Sequence, residues 1–283
     1  MNEAVSKEEA VSPFISGTEL PGIELLAHGP KAGLIVVHGL AEHADRYGDI
    51  AGTFASRGIS CFVYDQHGHG QRPGVRTHVE RFDDFVADLY TVGNAIHARQ
   101  PQLPLFVWGH SMGTIVATLA ALQPPAWLRG VITSSNSLEI FRRGLNPLNG
   151  FFRLASRVAA RVRIPLGLDG TKISRDAAVQ RTYMSDRMIS RTASLRLIVE
   201  FAAACERARA QAPQLRLPWL VIHGERDEIA PPAGSRVLFE LLGSTDKKLV
   251  MYPDARHEVH NESADRGAML NVMTRWILEH SGS

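Results

Sequence analysis

The sequence predicts a doubly wound, mostly parallel α/β sheet with helices on both faces and a helical segment inserted in its second half. Three observations predict it. Apolar, β-branched runs such as "LIVV" (34–37) and "ISCFVYD" (59–65) are continuous rather than alternating, as strands covered on both faces require. Stretches of helical periodicity stand between these runs. The alternation stops between about Asn136 and Gln214 and then resumes.

The elements follow in order. Residues 1–12 are polar and acidic, lack the apolar stretch of a signal peptide and are expected to be flexible. "FISGTELPGIELLAHG" (14–29) reads as two short strands around a turn at Pro21-Gly22. "YGDIAGTFASRG" (47–58) has helical spacing through Ile50 and Phe54, closed by Gly58. "FDDFVADLYTVGNAIHAR" (82–99) sets Phe82, Phe85, Val86, Leu89 and Val92 on one helix face. "PLFVWG" (104–109) is a strand, and "MGTIVATLAALQ" (112–123) is a helix apolar nearly all round, hence buried. "LRGVITSS" (128–135), "LPWLVIHG" (217–224) and "KKLVMYP" (247–253) are further strands. "GSRVLFELLG" (234–243) is a helix between the last two, and "NESADRGAMLNVMTRWILEH" (261–280) closes the chain as another. The expected organisation is core (1–135), helical cap (136–214, without a clear strand) and core again (215–283).

The chain has 283 residues, 45% hydrophobic and 21% charged, within the range of one large α/β domain. A formal charge of +2 gives no electrostatic reason to expect nucleic acid as a partner. Cys61 and Cys205 lie in apolar runs and read as buried free thiols. No apolar stretch is long enough to span a bilayer, so a cytoplasmic protein is expected.

The chemistry centres on "WGHSMGT" (108–114). Strand, G-x-S-x-G and helix follow one another, the context in which a nucleophilic serine sits on a sharp, exposed turn. Gly109 and Gly113 let strand and helix approach, and the helix N-terminus offers N–H groups to a developing oxyanion. Ser111 needs a base, and the base needs an acid to orient it. Downstream, Asp227 follows the strand "LPWLVIHG" by a short turn, with Glu225 and Glu228 as weaker neighbours. The loop after the next strand holds His257 and His260; His257, nearer the strand end, is the expected base. Met112 N–H and, from "LIVVHGLAEH", Leu40 N–H are the expected oxyanion donors. His67 and His69 of "DQHGHG" have no recognised metal spacing, and the mechanism needs neither metal nor cofactor.

"HGLAEHADRY" (38–47), "DQHGHG" (65–70), "GHSMG" (109–113), "ISRD" (173–176), "HGERDEIAPP" (223–232) and "ARHEVHNE" (255–262), in this order, resemble the monoacylglycerol lipase and lysophospholipase family of α/β-hydrolases, from about Phe14 to His280. The resemblance implies a lidded α/β-hydrolase with Ser111, Asp227 and His257 as triad and Leu40 and Met112 as oxyanion hole. It places Glu42, Arg46 and His260 at the alcohol end of a lipid-ester site. It implies hydrolysis of monoacylglycerols, with a lysophospholipase or a short-to-medium-chain carboxylesterase as the alternative. Two positions depart from the pattern. Thr114 stands where a third glycine is common and implies bulkier helix–sheet packing, and Arg72 stands where a serine is common, with no consequence the sequence defines. A non-catalytic binding protein on the same scaffold is disfavoured by the complete serine, acid and histidine set. In "FFRLASRVAARVR" (151–163), Arg153, Arg157 and Arg161 recur every four residues opposite an apolar face. Such a helix either contacts an anionic lipid surface or, as the plainer reading has it, packs its apolar face on the core with its arginines solvated.

Overall fold

The computed structural model describes residues 14–141 and 150–282. The N-terminal stretch expected to be flexible, 1–12, lies outside the described residues. The first part of the chain forms β1 (Gly22–Leu25), β2 (Ala32–Val37), α1 (Gly48–Ala55), β3 (Ile59–Tyr64), α2 (Asp83–Arg99), β4 (Leu105–His110), α3 (Met112–Ala120) and β5 (Leu128–Ser134). It then leaves the sheet through α4 (Gly150–Val158), β6 (Arg163–Pro165), α5 (Gly170–Ile173), α6 (Ala177–Ser185), β7 (Thr192–Ser194) and α7 (Leu195–Gln211). It returns as β8 (Trp219–Gly224), α8 (Ala233–Leu241), β9 (Lys247–Tyr252) and α9 (Arg266–His280).

One sheet of seven strands runs in the order β1-β3-β2-β4-β5-β8-β9. Only β1 is antiparallel; the other neighbours pair in parallel. Every residue of β2, β3, β4 and β8 is buried. That is why these runs read as continuously apolar: successive side chains point to opposite faces, and both faces are covered. Val37, Phe62 and Val107 join Phe85, Leu89 and Ile115 of α2 and α3 on one face. Val36, Val63 and Trp108 join Ile50 and Phe54 of α1 and Met273 of α9 on the other. Cys61 and Cys205 are buried and free.

Three details differ from the sequence reading. In 14–29 only β1 is a strand, while Phe14 meets Pro21 in an isolated bridge. The last helix starts at Arg266, because Val259–Asn261 form a 3-10 turn and Glu262 is held by Arg256 N at 2.8 Å and Arg175 N at 3.1 Å. The inserted segment is not wholly helical: β6 and β7 pair antiparallel, Arg163 opposite Ser194. Strands of three residues are too short to leave a periodic signal.

Candidate active site

The site begins where β4 turns into α3. Ser111 holds φ +52° and ψ −117°, a conformation that costs a non-glycine residue about 1–3 kcal/mol and persists only where its surroundings enforce it. They do so through two glycines. A Cβ on Gly109 would lie 2.3 Å from Gly113 O, and one on Gly113 would lie 2.0 Å from Val37 O. Thr114 adds more than bulk. Its Oγ1 donates to Ser111 O at 2.6 Å and accepts from Ser137 N at 3.3 Å, fastening the turn to the chain beyond β5. Met112 opens α3, where a backbone N–H has no intrahelical acceptor.

Asp227 lies beyond the end of β8 and His257 beyond β9, both buried. His257 Nδ1 is 2.7 Å from Asp227 Oδ2. The other carboxylate oxygen accepts from Ile229 N at 2.8 Å and Ala230 N at 2.9 Å. Of the neighbouring acids, Glu225 pairs with Arg236 of α8 and Glu228 lines the cavity rather than meeting a histidine. Ser135 Oγ donates to His257 O at 2.5 Å and fixes the loop that carries the imidazole. Burial alone would push His257 below its ordinary value, but Asp227, with Glu258 and Glu42 behind it, holds it above. Burial pushes Asp227 up, and His257 and His223 outweigh that and hold its carboxyl well below the usual carboxylate range. Ser111 and His257 face one cavity; among the described residues no hydrogen bond joins Ser111 Oγ to His257. Such contacts commonly tighten only when substrate is bound.

The loop after β2 runs against the nucleophile. A Cβ on Gly39 would lie 3.0 Å from Ser111 Cβ, and Leu40 beside it lines the cavity. Glu42 braces this loop, its Oε1 accepting from Gly39 N at 2.5 Å and Tyr47 Oη at 3.0 Å. Arg46 sits between two buried acids: Nη1 is 2.5 Å from Glu42 Oε2, and Nη1 and Nη2 grip Glu258 at 2.6 and 2.7 Å. Burial raises both acids, yet the bidentate grip of Arg46 brings Glu258 down to about 2. Glu42, buried, sharing the same cation through a single contact and repelled by Glu258, stays raised. Glu42 and Arg46 therefore line the cavity with most of their polar atoms already engaged.

His260 is corrected. It does not line the cavity; it is buried behind it, stacked on Tyr47 at 5.3 Å and edge-on to Trp108 at 5.4 Å and His110 at 4.7 Å. Burial lowers it to about 3, so it is neutral. Val259 beside it joins Tyr47 and Trp108 in the core on that face of the sheet. Arg72, undefined by the sequence, pairs with Asp88 of α2 and is absent from the cavity wall. His69 of "DQHGHG" packs against His38 and Phe85. Among the described residues His110, Glu258 and His260 bring possible ligand atoms within 4.8 Å of one another, but the Glu258 carboxylate is already taken up by Arg46.

The cavity has a volume of about 480 Å³. Its polar end holds Ser111, His257, Glu42 and Arg46. Its apolar length comes from the inserted segment: Ile140, Phe141, Phe152, Ile164, Leu166, Ile198 and Phe201. Tyr183 of α6 lies over the Arg46 guanidinium, 5.1 Å from ring centre to Cζ. Two residues that matter here escaped the sequence reading. Glu258 was hidden by standing beside the more conspicuous His257. His223 is the penultimate residue of the buried strand β8, where its neighbours give it the look of a core residue.

α4 stops at Val158, so Arg161 falls beyond the helix. Its apolar face does not pack on the core: Phe151, Leu154, Val158 and, past its end, Val162 are 75%, 62%, 81% and 51% exposed. Phe152 instead turns inward to the cavity. Among the described residues no helix is long and apolar enough to cross a membrane.

The family model described as serine aminopeptidase, S33, matches residues 28–264. The monoacylglycerol lipase of Mycolicibacterium smegmatis is 31% identical over 256 residues, 89% of either chain. The monoglyceride lipase of Rattus norvegicus is 32% identical over 254 residues, covering 88% of this chain and 82% of that one. The crystal structure of the Paleococcus ferrophilus monoacylglycerol lipase superposes with a TM-score of 0.82 at 26% identity, covering 93% of this chain and 100% of that one.

Proposed function

This chain belongs to the serine aminopeptidase S33 family, with monoacylglycerol lipases of the α/β-hydrolase fold among its relatives, and we propose that it hydrolyses monoacylglycerols to fatty acid and glycerol through an acyl-enzyme on Ser111. The observation that carries the reading is the cavity itself. A serine on a strained elbow and an Asp227-paired histidine face its polar end, while apolar side chains of the inserted segment line its length.

His257 takes the Ser111 proton as the hydroxyl attacks the ester carbonyl. Asp227 keeps the hydrogen on Nδ1, leaves Nε2 free to accept, and stabilises the imidazolium that forms. Leu40 and Met112 N–H groups hold the tetrahedral oxyanion; one such donor is typically worth about a hundred- to a thousandfold in rate. The imidazolium then protonates the leaving glycerol, and water repeats the sequence on the acyl-enzyme. Residues 136–214 act as the lid. The exposed face of α4, flanked by Arg153, Arg157 and Arg161, rests on the lipid surface from which substrate enters.

The test is a hydrolysis panel over mono-, di- and triacylglycerols, lysophospholipids and nitrophenyl esters. A monoacylglycerol presents a small leaving group with two free hydroxyls, whereas a triacylglycerol has none and is bulkier, so monoacylglycerol should exceed triacylglycerol by a large ratio in kcat/KM. Equal rates on the two would overturn the reading in favour of a general lipase. A preference for lysophospholipid would shift the substrate and leave the chemistry.

A further inference from the structure

Asp227 carries a second imidazole. His223, the penultimate residue of β8, is fully buried. Its Nε2 faces two acceptors, Asp227 Oδ2 at 3.0 Å and Ala230 O at 3.1 Å, so that nitrogen holds the hydrogen. Its Nδ1 lies 2.6 Å from the Oγ of Ser235 in α8, also fully buried. In the neutral ring Nδ1 is a lone pair, and the Ser235 hydroxyl donates to it. The tautomer is thereby set from both sides. The resulting chain runs Ser235 O–H to His223 Nδ1, then His223 Nε2–H to Asp227 Oδ2, where His257 Nδ1–H also donates. Neither His223 nor Ser235 lines the cavity, so neither touches substrate.

We propose that His223, locked by Ser235, is a positioning residue for the reaction, holding Asp227 Oδ2 on His257 while that imidazole moves its proton. The inference rests on Asp227 being the acid. The backbone donors of Ile229 and Ala230 anchor Oδ1 and leave Oδ2 to be fixed by side chains alone. His257 has to shift between Ser111 and the leaving oxygen during turnover. His223 is the partner that does not move. It also shares the charge on Oδ2, so His257 receives less than it would from a singly bonded carboxylate. The other titratable groups facing His257 are Glu258 and His260 on its own loop, Glu42 on the loop after β2, and the His110 ring, 4.9 Å away on β4. None of them changes when His223 is replaced.

The experiment is a pH–rate profile on a soluble nitrophenyl ester for His223→Gln, His223→Asn, His223→Leu and Ser235→Ala, with thermal melts alongside. Glutamine places an amide NH2 where Nε2 stands and has two hydrogens for the two acceptors. Asparagine reaches only the Ser235 side. Leucine and asparagine should lower kcat about ten- to a hundredfold, the effect of one lost hydrogen bond to a charged group, with KM changed less than about twofold. In both, the acid limb should move to higher pH, because the unshared Oδ2 charge favours the imidazolium more. Glutamine should restore most of kcat and return the limb to its original position, and Ser235→Ala should fall between. A packing role would lower activity through stability without moving the limb or distinguishing glutamine from asparagine. Gln no better than Asn, or Leu close to wild type with an unmoved limb, overturns the proposal. If the leucine variant does not fold, the Gln–Asn comparison decides alone. Asp227→Asn serves as control: if it keeps most activity, the reading of Asp227 has failed rather than the role of His223.

Discussion

Replacing Asp227 with asparagine changes one oxygen to NH2 and reverses half of a four-bond arrangement. The carboxylate accepts from Ile229 N, Ala230 N, His257 Nδ1 and His223 Nε2. Asparagine keeps one acceptor oxygen. The two backbone N–H groups cannot rotate or change tautomer, so the oxygen stays with them and the NH2 faces the imidazoles. His257 must then present a lone pair at Nδ1 and carry its hydrogen on Nε2, where the Ser111 proton should go. The base is in the wrong tautomer with its position intact. In serine proteases the same exchange costs about ten-thousandfold in kcat, equivalent to about 5 kcal/mol of transition-state stabilisation, and the same order is expected here. The fold should survive, since His223 can turn its hydrogen toward Ser235, 2.6 Å away. The assay is kcat on a nitrophenyl ester at saturating concentration near pH 8, with circular dichroism to confirm folding. A folded variant within tenfold of wild type would refute the tautomer argument and with it the role assigned to Asp227.

Other outcomes follow from the same geometry. His257 must be neutral to accept a proton, and its partners raise it, so activity on a neutral ester should fall as pH drops, with a midpoint above the ordinary 6.5; a flat profile through that region in folded protein contradicts a histidine base. Glu258→Ala strips Arg46 of its bidentate partner at 2.6 and 2.7 Å and should destabilise by about 3–5 kcal/mol, a fall in Tm of roughly 10 °C in calorimetry. Because Glu258 is held at about 2 rather than 4.5, its stabilising contribution is present above 4.5 and lost as pH falls toward the lower value, which acid titration of wild type against Glu258→Ala reads out. Replacing Arg153, Arg157 and Arg161 together with glutamine should weaken binding to anionic vesicles at low salt by about two orders of magnitude, at about 1 kcal/mol per cation, and spare turnover of a soluble ester; unchanged vesicle binding argues against the lipid-facing role of α4.

Most of the sheet was legible because its chemistry is local. Buried parallel strands such as Ile59–Tyr64 need unbroken apolar runs, and helices such as Asp83–Arg99 need one apolar face, so both write their signature in consecutive residues. The elbow was legible for the same reason: strand, two glycines and helix sit within one short stretch, and the structure places Ser111 at φ +52° there. Asp227 and His257 could be picked out because each follows a strand end, and they meet at 2.7 Å. What the sequence could not supply depends on distant pairs. Nothing local tells that Arg46 spends its guanidinium on Glu258, 212 positions away, or that His260 packs on Tyr47 and Trp108 rather than lining the cavity. His223 looks like any residue of a buried strand until Ser235 and Asp227 are brought to its two nitrogens. The arginine periodicity of 153–161 suggested a longer helix, and only the chain's turn into β6 shows that Arg161 lies outside it.

The central claim is that monoacylglycerol turnover passes through an ester on Ser111. Acid-quenching the enzyme during turnover of a monoacylglycerol, followed by peptide mass spectrometry, tests it directly. The account predicts the mass of the acyl group on the peptide containing Ser111, its disappearance once substrate is exhausted, and neither adduct nor turnover in Ser111→Ala. Turnover that persists in Ser111→Ala, or an acyl group found on another residue, would contradict it.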